Sequence, residues 1–512
     1  MDRGIGFWLA KREQISGDRV ALIDRDRQFT YRQLNRRCNQ LANALRDSGI
    51  RKGDRVVAIL QNGHHMVEMM FATAKLGVIF TPLNFRLTVP EIEYITKDSG
   101  ARSLFYHTEF QQLADGLGQK INLDRVISCG SSTDLSGDQD YEALLQSGSD
   151  EDPDFDVSQD DIGLMMYTSG TTGRPKGAML SHANTQWNAI NVTTRMPLTS
   201  ADKAVIVAPM FHIGGSSILA LPCLYLGATI ITLPTFDANE VLETIKREKA
   251  TVLFCVPTMW HMVMQALEET PYDLSGVNFF MTGAAPCPLP VLHYFKKRNI
   301  TMLEGFGMTE ASPLLTILDP EHTESKNGSV GLPAMHVDVR VVDEQDNDVM
   351  SGEIGEVIAR GPNLFTGYWN RPEATAEAMS GGWYHSGDLG YLDEDGFLFI
   401  VDRKKDMLIS GGENVYPTEV EQTIYGHEAV SEVSVIGIPH EKWQEVPCAI
   451  IVTKDGFELT EQEIMDYCAG QLAKFKTPKK VVFVDELPMS GAGKILKTEL
   501  RKMFDGYKAA DK

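Results

Sequence analysis

The feature that most constrains this fold is a repeated alternation of short apolar runs with longer segments of helical spacing. Arg55–Leu60 ends in five apolar residues, as buried strands do, and His64–Leu76 places apolar residues at helical intervals before a glycine. Val78–Pro82 predicts the next strand. Strand–helix–strand order predicts an α/β protein with parallel-type sheets flanked by helices. The pattern recurs in predicted strands Val205–Pro209, Thr229–Leu233 and Thr251–Val256 and predicted helices Ile218–Leu226, Asn239–Glu248 and Met259–Glu268.

The pattern changes after Gly328, where a β-rich subdomain is expected. Val337–Val342 and Glu356–Arg360 alternate in polarity as strands of a half-exposed sheet do. The run of five charges Asp402–Asp406 is typical of a solvated connection or a hinge. We therefore expect a large N-terminal domain over residues 1–402 and a small, mobile α+β C-terminal domain over residues 403–512. The small domain should contain strands Val433–Ile438, Ala449–Thr453 and Lys480–Val484 and helix Glu461–Lys474.

Length, charge and cysteine content restrict the class of protein. A chain of 512 residues is too long for one hydrophobic core, and its net charge of −22 argues against binding nucleic acid. Seven scattered cysteines without a C-x-x-C pair imply neither zinc site nor disulfide framework, and fit a reducing cytoplasm. The apolar stretch Gly214–Leu233 is divided by Pro222 and Gly227, so we expect a helix and a strand there and no transmembrane segment. The acidic stretch Ser131–Asp161 is expected to be a loop-rich surface connection.

One short segment has the composition of a phosphate-binding loop. Tyr167–Gly177 reads YTSGTTGRPKG and combines hydroxyls, glycines and Lys176 directly after an apolar run. Glycines allow backbone N–H groups to converge on an anion, and hydroxyls and lysine add donors and charge. The spacing differs from the Walker A loop, since Gly177 follows the lysine where that loop has serine or threonine.

This loop resembles the signature of the adenylate-forming superfamily, which includes acyl-CoA synthetases, adenylation domains of peptide synthetases and firefly luciferases. The resemblance spans roughly Thr30 to Lys494 in the family's order. The matching segments are Tyr167–Gly177, Ala208–Gly215, Thr282–Pro286, Gly305–Glu310, Gly352–Val357, Tyr384–Leu389, Val401–Glu419 and Pro488–Lys497.

The resemblance assigns nucleotide-binding roles to several groups of residues. A loop over the β- and γ-phosphates, an adenine-facing turn and strand, and a carboxylate for the ribose hydroxyls with its arginine partner are implied. Phe306 stands where the family frequently has tyrosine, so stacking should persist without a phenol hydrogen bond. The residues are Thr168, Ser169, Gly170, Thr171, Thr172, Gly173 and Lys176 for the loop; Gly283, Ala284, Ala285, Gly305, Phe306 and Gly307 for adenine; and Asp388 and Arg403 for ribose.

The resemblance also implies catalytic and conformational roles. Lys494 resembles the lysine that reaches the substrate carboxylate and the α-phosphate, and His212 lies by the acyl carbon. Thr309 and Glu310 look like the pair beside the α-phosphate, with Glu310 holding Mg²⁺. The remaining implied roles are a hinge at Lys405 and a coenzyme A tunnel lined by Gly411 and Gly412.

The resemblance therefore implies an ATP-dependent, AMP-forming carboxylate–CoA ligase that uses ATP, Mg²⁺ and coenzyme A. The expected acyl pocket is apolar and rich in methionine, which suits flexible ligands, and its segments contain no lysine or arginine to pair with a second carboxylate. We therefore expect a medium- or long-chain fatty acid, with a benzoate- or cinnamate-type acid as the alternative. The pocket residues are Phe211, Gly214, Met259 and Met308.

Other functions stay open at this point. A freestanding enzyme that loads a carrier protein would share the adenylation motifs, and a luciferase-like oxygenase would share the fold. A peptide-synthetase domain would be expected to adjoin a carrier domain, for which no sequence follows Lys512. A non-catalytic scaffold would be expected to have lost charged site residues such as Lys176 and Glu310, which are present. Oligomeric state, including a homodimer, stays open.

Overall fold

The computed structural model describes residues 3–130, 139–153, 156–168, 174–410, 412–440, 443–490 and 494–504. In this part of the chain, four β-sheets are flanked by helices. The strands are β1 (Val20–Asp24), β2 (Arg27–Thr30), β3 (Arg55–Ile59), β4 (Ile79–Pro82), β5 (Ser103–His107), β6 (Arg125–Cys129), β7 (Gln139–Asp140), β8 (Ile162–Thr168), β9 (Lys176–Ser181), β10 (Lys203–Ile206), β11 (Thr229–Thr232), β12 (Val252–Cys255), β13 (Phe279–Gly283), β14 (Met302–Gly307), β15 (Leu314–Ile317), β16 (Leu332–Pro333), β17 (Asp338–Val342), β18 (Gly355–Arg360), β19 (Gly367–Tyr368), β20 (Tyr384–Leu392), β21 (Leu398–Arg403), β22 (Leu408–Ser410), β23 (Glu413–Val415), β24 (Val430–His440), β25 (Gln444–Thr453) and β26 (Lys480–Phe483).

The helices connect these strands and cover the sheets. They are α1 (Phe7–Ser16), α2 (Tyr31–Asp47), α3 (His64–Leu76), α4 (Val89–Ser99), α5 (Gln111–Gly118), α6 (Tyr141–Ser147), α7 (His182–Arg195), α8 (Ile213–Gly215), α9 (Leu221–Leu226), α10 (Ala238–Glu248), α11 (Pro257–Glu269), α12 (Leu289–Lys296), α13 (Pro372–Ala378), α14 (Pro417–Tyr425), α15 (Glu461–Ala469) and α16 (Lys497–Met503).

Two large sheets confirm the predicted α/β class. One has nine strands in the order β16-β15-β14-β13-β12-β10-β11-β1-β2, and its centre from β14 to β1 is parallel. The other has eight strands in the order β19-β9-β8-β4-β3-β5-β6-β7, parallel from β8 to β7. Parallel strands that are buried on both faces explain the continuous apolar runs in the sequence.

The remaining two sheets account for the change of pattern after Gly328. The antiparallel sheet β17-β18-β20-β21 ends at Arg403. The last sheet, β22 to β26, uses only residues that follow Arg403. Its strand β24 is longer than predicted, whereas α15 ends at Ala469, five residues before the predicted end.

Helix α3 shows why a uniformly apolar segment can be helical here. All of its thirteen residues are buried, and Gly77 ends it in the left-handed conformation with φ +73°. Its one acidic residue, Glu68, is paired with Arg37 and accepts a hydrogen bond from the hydroxyl of Tyr141 at 2.7 Å. Because a buried carboxylate is costly unless it is paired, this contact fixes α6 against α3.

The prediction of a loop-rich surface connection for Ser131–Asp161 missed a short helix, and residues 131–138 and 154–155 of this stretch lie outside the described residues. Residues 141–147 form helix α6, and Tyr141, Leu144 and Leu145 are buried. The acidic composition of the window concealed a short helix whose burial depends on residues far away in sequence. The apolar stretch after His212 is divided as expected, into a π-helical turn, α9 and β11.

No helix among the described residues is long and apolar enough to cross a membrane. All seven cysteines lie within those residues; each is buried and carries a free thiol.

Candidate functional site

The candidate site lies beyond the carboxyl ends of the central strands of the nine-stranded sheet, where α/β proteins commonly bind ligands. Gly283 and Gly305 are opposite each other on parallel strands β13 and β14. A Cβ atom on Gly283 would lie 3.0 Å from the Gly305 carbonyl oxygen and 3.6 Å from the ring of Phe254. Ala284 follows with φ +71°, and the side chains of Ala284 and Ala285 are exposed. The turn therefore leaves little space on its inner side, and the side chains that it exposes are small. Small side chains of this kind are what the predicted adenine-facing turn needs.

The end of β14 leads directly into the acidic part of the site. Phe306 is half-buried and packs against the main core, and Gly307 pairs with Leu314 on β15. Thr309 then begins a 3₁₀ turn that also contains Glu310.

Glu310 is a buried carboxylate held by residues from two other segments. It accepts a hydrogen bond from the Tyr368 hydroxyl at 2.8 Å and lies 3.4 Å from the Thr168 hydroxyl. Its carbonyl oxygen accepts the N–H of Phe365 at 2.8 Å. Thr168 is opposite Lys176 on β9, and the Lys176 ammonium lies 5.1 Å from the centre of the Tyr368 ring. The two described ends of the phosphate loop therefore meet beside Glu310.

Asp388 lies on β20, directly opposite Arg403 on β21. An oxygen of its carboxylate is 3.5 Å from the Arg403 Nε, and its backbone N–H donates to the Ser386 hydroxyl at 3.0 Å. Burial raises the pKa of Asp388 to about 6, although the Arg403 and Lys494 charges act in the opposite direction. At neutral pH the group is a carboxylate, the form that can accept hydrogen bonds from two hydroxyls.

Lys494 is carried on a short hairpin that ends in the same site. Its N–H donates to the Ser490 hydroxyl at 3.1 Å, its carbonyl oxygen accepts from the Ser490 N–H, and Met489 pairs with Ile495. Burial, aided by the charge of Arg403, lowers the pKa of Lys494 to about 8. The Asp388 and Glu310 carboxylates oppose this shift, so both lie within electrostatic reach of the ammonium.

His212, which directly precedes α8, also lies within electrostatic reach of Lys494. Burial lowers its pKa to about 4, and the charges of Lys494 and Arg86 act in the same direction. Its Nε2 atom is buried without a hydrogen-bond partner among the described residues. The imidazole is therefore neutral at physiological pH, with a polar atom available to a ligand. A π-helical turn, Ser216–Ala220, follows, and such turns are frequent at functional sites.

Three of the four predicted acyl-pocket residues share one packed cluster. Phe211 and Phe254 are buried in the main core, Met308 packs against it, and a Cβ on Gly214 would lie 3.4 Å from the Phe254 ring. Met259 instead packs with α10 to α12 residues on the other face of the sheet. Phe254 of β12 faces the main core, whereas Met259 lies on α11, which packs against the other face of the sheet and so separates Met259 from the other three.

Of the predicted hinge and tunnel residues, Lys405 and Gly412 are both exposed. Partial desolvation, aided by the charge of Arg403, lowers the pKa of Lys405, and the Asp388 carboxylate opposes this shift. Gly412 is exposed between β22 and β23 with φ +89°, and a Cβ there would contact nothing within 4 Å. The predicted residues Ser169, Gly170, Thr171, Thr172, Gly173 and Gly411 lie outside the described residues.

Comparison with known proteins decides the family. A family model described as AMP-binding enzyme matches residues 9–369, and a second, described as AMP-binding enzyme C-terminal domain, matches residues 419–494. The chain belongs to the AMP-binding enzyme family. This confirms the resemblance drawn from the motifs.

Relatives of the chain include acid–CoA ligases, and the matches cover nearly the whole length of both proteins. A feruloyl-CoA synthase of an Amycolatopsis species is 40% identical over 503 residues, which are 98% of this chain and 99% of the relative. The long-chain-fatty-acid–CoA ligase FadD13 of Mycobacterium tuberculosis is 36% identical over 98% of this chain and 99% of the relative. The crystal structure of the anthranilate CoA ligase AuaEII with anthranoyl-AMP superposes with a TM-score of 0.94 at 29% identity, covering 99% and 98% of the two chains.

These comparisons confirm the class of enzyme. The chain is an AMP-forming acid–thiol ligase, whose class uses ATP, Mg²⁺ and coenzyme A.

Sequence reasoning missed two residues that this AMP-binding enzyme places at the site. Tyr368 lies on the two-residue strand β19, and its contact with Glu310 exists only because β19 pairs with β9. On α14, the side-chain amide of Gln422 donates to the Cys287 carbonyl oxygen at 3.5 Å and accepts the N–H of Leu289 at 3.5 Å. These contacts join α14 to the segment that follows the predicted adenine-facing turn. Neither contact leaves a local signal in the sequence, since Tyr368 and Glu310 are 58 residues apart and Gln422 is more than 130 residues from Cys287 and Leu289.

Proposed function

We propose that this ligase converts an aromatic carboxylic acid into its coenzyme A thioester through an acyl-adenylate. The observation that carries the proposed site is the convergence of Lys494, Asp388, Glu310 and His212, which come from four separate segments. The ammonium supplies positive charge between two buried carboxylates and a neutral imidazole. This arrangement suits a reaction that joins two anions.

In the first half-reaction, a carboxylate oxygen attacks the α-phosphorus of ATP. A new O–P bond forms, the bond to pyrophosphate breaks, and the products are the acyl-adenylate and pyrophosphate. Lys494 would lie between the substrate carboxylate and the α-phosphate and neutralise charge that gathers in the transition state. Asp388 would accept hydrogen bonds from the ribose hydroxyls and hold the nucleotide in a fixed position for the reaction.

The Glu310 pocket fits Mg²⁺ because its donors are all oxygens. The carboxylate of Glu310 and the hydroxyls of Thr168 and Tyr368 lie together, and the adjoining Thr309 adds another hydroxyl. Mg²⁺ usually takes one or two carboxylates and completes its shell with phosphates and water. When bound, the ion supplies neutralisation of phosphate charge, and Glu310 with Thr309 would hold it.

In the second half-reaction, the coenzyme A thiolate attacks the acyl carbon and AMP leaves. Only a few per cent of a free thiol is ionised near pH 7, so a neutral base beside the acyl carbon would assist. His212 has the neutral form and the unpartnered Nε2 atom that this role requires.

We infer that the chain divides at residues 402 and 403 and that the small domain rotates about Lys405 between the half-reactions. Lys494 lies in the site while Gly412 is exposed to solvent, which is the arrangement expected for adenylation. Rotation would withdraw Lys494 and bring Gly412 to the pantetheine path, a rigid-body change. The phosphate loop, including residues 169–173, would close over the β- and γ-phosphates.

Two lines of support favour an aromatic acid over the fatty acid expected from the sequence. A feruloyl-CoA synthase and an anthranilate CoA ligase are among the relatives that match almost the whole chain. The bare backbone of Gly214 beside the Phe254 ring would also let a flat group approach closely. Flat rings gain from edge or offset contact with such a phenylalanine.

A medium- or long-chain fatty acid is the second candidate, favoured by the 36% identity with FadD13. An alkyl chain would need an extended apolar path, which the half-buried Met308 could border.

Acid-dependent AMP formation tests the function and the substrate together. The purified chain would be incubated with ATP, Mg²⁺, coenzyme A and one acid at a time: acetate, octanoate, palmitate, benzoate, 4-coumarate, ferulate or malonate. Mass spectrometry would follow AMP, pyrophosphate and thioester. We expect AMP and thioester with an aromatic acid; the same products with palmitate alone would select the fatty-acid alternative. Adenylate without thioester would indicate a carrier-protein acceptor, and no AMP with any acid would contradict the proposal.

The variant Gly214→Ala sharpens the substrate test. The added methyl group would reach ordinary contact distance from Phe254, so the protein should fold normally while the space for a ring shrinks. We expect kcat/KM for the aromatic acid to fall by about tenfold, since one methylene in a pocket is worth about 1–3 kcal/mol. The KM for ATP should not change, and an unchanged preference among the acids would remove Gly214 from the acyl pocket.

A further inference from the structure

The helix that follows the Lys494 hairpin is held by a buried ion pair. Lys497 is the first residue of α16, and its ammonium lies 2.8 Å from a carboxylate oxygen of Glu421 on α14. The two side chains are only 17% and 16% exposed. Glu421 also accepts the backbone N–H of Val435 at 2.7 Å. A pair this buried must hold its geometry, because an unpaired charge would be costly there.

One turn later, the same face of α16 contacts the hinge segment. Arg501 donates to a carboxylate oxygen of Asp406 at 2.8 Å, and the Asp406 N–H donates to the Arg403 carbonyl oxygen at 2.9 Å. Residues four apart on a helix share a face, so Lys497 and Arg501 act on adjacent partners. Helix α16 is thereby attached both to α14 and to the segment that contains Lys405.

A third carboxylate extends the cluster across the proposed domain boundary. Asp402, at the end of the large domain, is buried and accepts the N–H groups of Arg403 at 2.7 Å and of Thr418 at 2.8 Å. Burial would lower the pKa of Lys497, but the Glu421 and Asp402 charges outweigh it and the pKa is raised. The hydrogen bond from Thr418 to Asp402 therefore joins the two sides of the proposed boundary, beside the Lys497–Glu421 pair.

The hairpin transmits the position of α16 to Lys494. Leu496 donates its N–H to the Pro488 carbonyl oxygen at 2.8 Å, which closes the base of the hairpin next to Lys497. Only two residues separate Lys494 from Lys497, so a shift of the first turn of α16 displaces the catalytic ammonium.

We propose that Lys497 and Arg501 are positioning residues, which fix the Lys494 hairpin relative to the hinge so that Lys494 reaches its place for adenylation. This inference rests on the proposed role of Lys494. The Glu421 and Asp406 contacts lie within the small domain and travel with it, whereas Asp402 stays with the large domain. The cluster of Asp402, Asp406, Glu421, Lys497 and Arg501 therefore favours the adenylation pose over the rotated one.

The test measures the two half-reactions separately in the full-length enzyme. Adenylation would be followed as ferulate-dependent pyrophosphate release without coenzyme A, and thioester formation from supplied feruloyl-adenylate and coenzyme A. If the acid panel selects palmitate, palmitate and palmitoyl-adenylate replace them. The variants are Lys497→Met, Arg501→Met, the charge-retaining Lys497→Arg, and the control Lys502→Met, an exposed lysine of the same helix that pairs with Glu499.

We expect Lys497→Met to slow adenylation on the order of 10- to 100-fold, since displacing a catalytic group by about 1 Å can cost that much. Thioester formation, which also needs the folded small domain, should stay within about threefold of the wild type because Lys494 is not used there. Arg501→Met should show the same split with a smaller loss, because Arg501 is more exposed. Lys497→Arg should restore adenylation, and Lys502→Met should match the wild type.

Two outcomes would overturn the inference. Equal loss of both half-reactions in Lys497→Met, with a lower Tm, would make the cluster structural only, and normal adenylation in that variant would remove the positioning role. Lys494→Ala separates this failure from that of the proposed function. If Lys494→Ala abolishes adenylation while Lys497→Met is normal, only the inference fails; if Lys494→Ala is normal, or the wild type forms no adenylate, the function and the inference fail together.

Discussion

The large and small domains present charged groups to the site in different ways. Glu310 and Asp388 lie in the large domain, where Tyr368 and Thr168 contact Glu310, and Asp388 pairs with Arg403, the first residue after the proposed boundary. Lys494 belongs to a hairpin that follows the last sheet, and the Asp388 and Glu310 charges act on its ammonium. On the proposed function, the large domain would hold the nucleotide throughout the reaction, whereas the small domain would bring the Lys494 charge to it.

The variant with the largest expected effect removes the positive charge of Lys494. Lys494→Ala should reduce adenylation by roughly 10²–10³-fold, the usual cost of losing one electrostatic donor in a transition state. Nucleotide binding should persist because Asp388 and Glu310 are unchanged. Isothermal titration with ATP and pyrophosphate release would measure the two effects, and a comparable loss of ATP affinity would place Lys494 with the binding groups.

The reciprocal variant is Gly412→Leu, which alters the exposed face of the small domain. In the present pose a Cβ atom at this position would contact nothing within 4 Å, although the φ of +89° imposes some backbone strain on leucine. We therefore expect adenylation to continue and thioester formation from supplied acyl-adenylate to stop. Loss of adenylation as well would contradict an alternation between the two poses.

The rate of adenylation should fall at alkaline pH as Lys494 loses its proton. The pKa of Lys494 is lowered to about 8, so the ammonium is present below that pH and is lost as pH rises through it. In the free enzyme, kcat/KM for ATP without coenzyme A should fall about tenfold per pH unit above 8. Lys494→Arg keeps its charge, so its lower rate should lack this decline. A decline that persists in Lys494→Arg would belong to another group.

The KM for ATP should rise at acid pH as the Asp388 carboxylate becomes protonated. The pKa of Asp388 is raised to about 6, so its carboxylate is present above that pH and is protonated as pH falls through it. We expect the KM for ATP to rise by up to about tenfold at pH 5, because a protonated carboxyl accepts hydrogen bonds less well. Asp388→Asn should have a high KM at every pH. His212 should not contribute to this change, since its pKa is lowered to about 4.

The smallest effect concerns the residue that holds Glu310 in place. Tyr368→Phe removes one hydrogen bond of 2.8 Å, worth about 1 kcal/mol, and should raise the Mg²⁺ concentration for half-maximal rate about fivefold. Tyr272→Phe removes a similar bond to Glu243 on the surface and serves as the control. An unchanged Mg²⁺ requirement in Tyr368→Phe would show that Glu310 is held without the phenol.

Local sequence patterns predicted the elements whose burial is complete. Helix α3 runs from His64 to Leu76 as expected, because the apolar spacing and Gly77 define it without reference to the rest of the chain. Helix α6 was not predicted, because Tyr141 becomes buried only through Glu68, 73 residues away. Sequence cannot show that such a distant partner exists.

The same distinction holds for the candidate site. Glu310, Asp388 and Lys494 stand in recognisable motifs, and the structure brings them together. Met259 stands in an equally apolar segment, yet it lies on α11, which packs against the opposite face of the sheet. The contact of Tyr368 with Glu310 depends on strand pairing between β9 and β19, which no motif records.

The burial of all seven cysteines has a practical consequence for studying the reaction. A thiol-reactive dye added to the folded protein would label free coenzyme A and leave the polypeptide unlabelled, so thioester formation can be followed as a falling colour yield. After heat or denaturant, the same dye would count up to seven additional sites per chain. One reagent would thus report turnover in the native protein and the fraction unfolded in a damaged preparation.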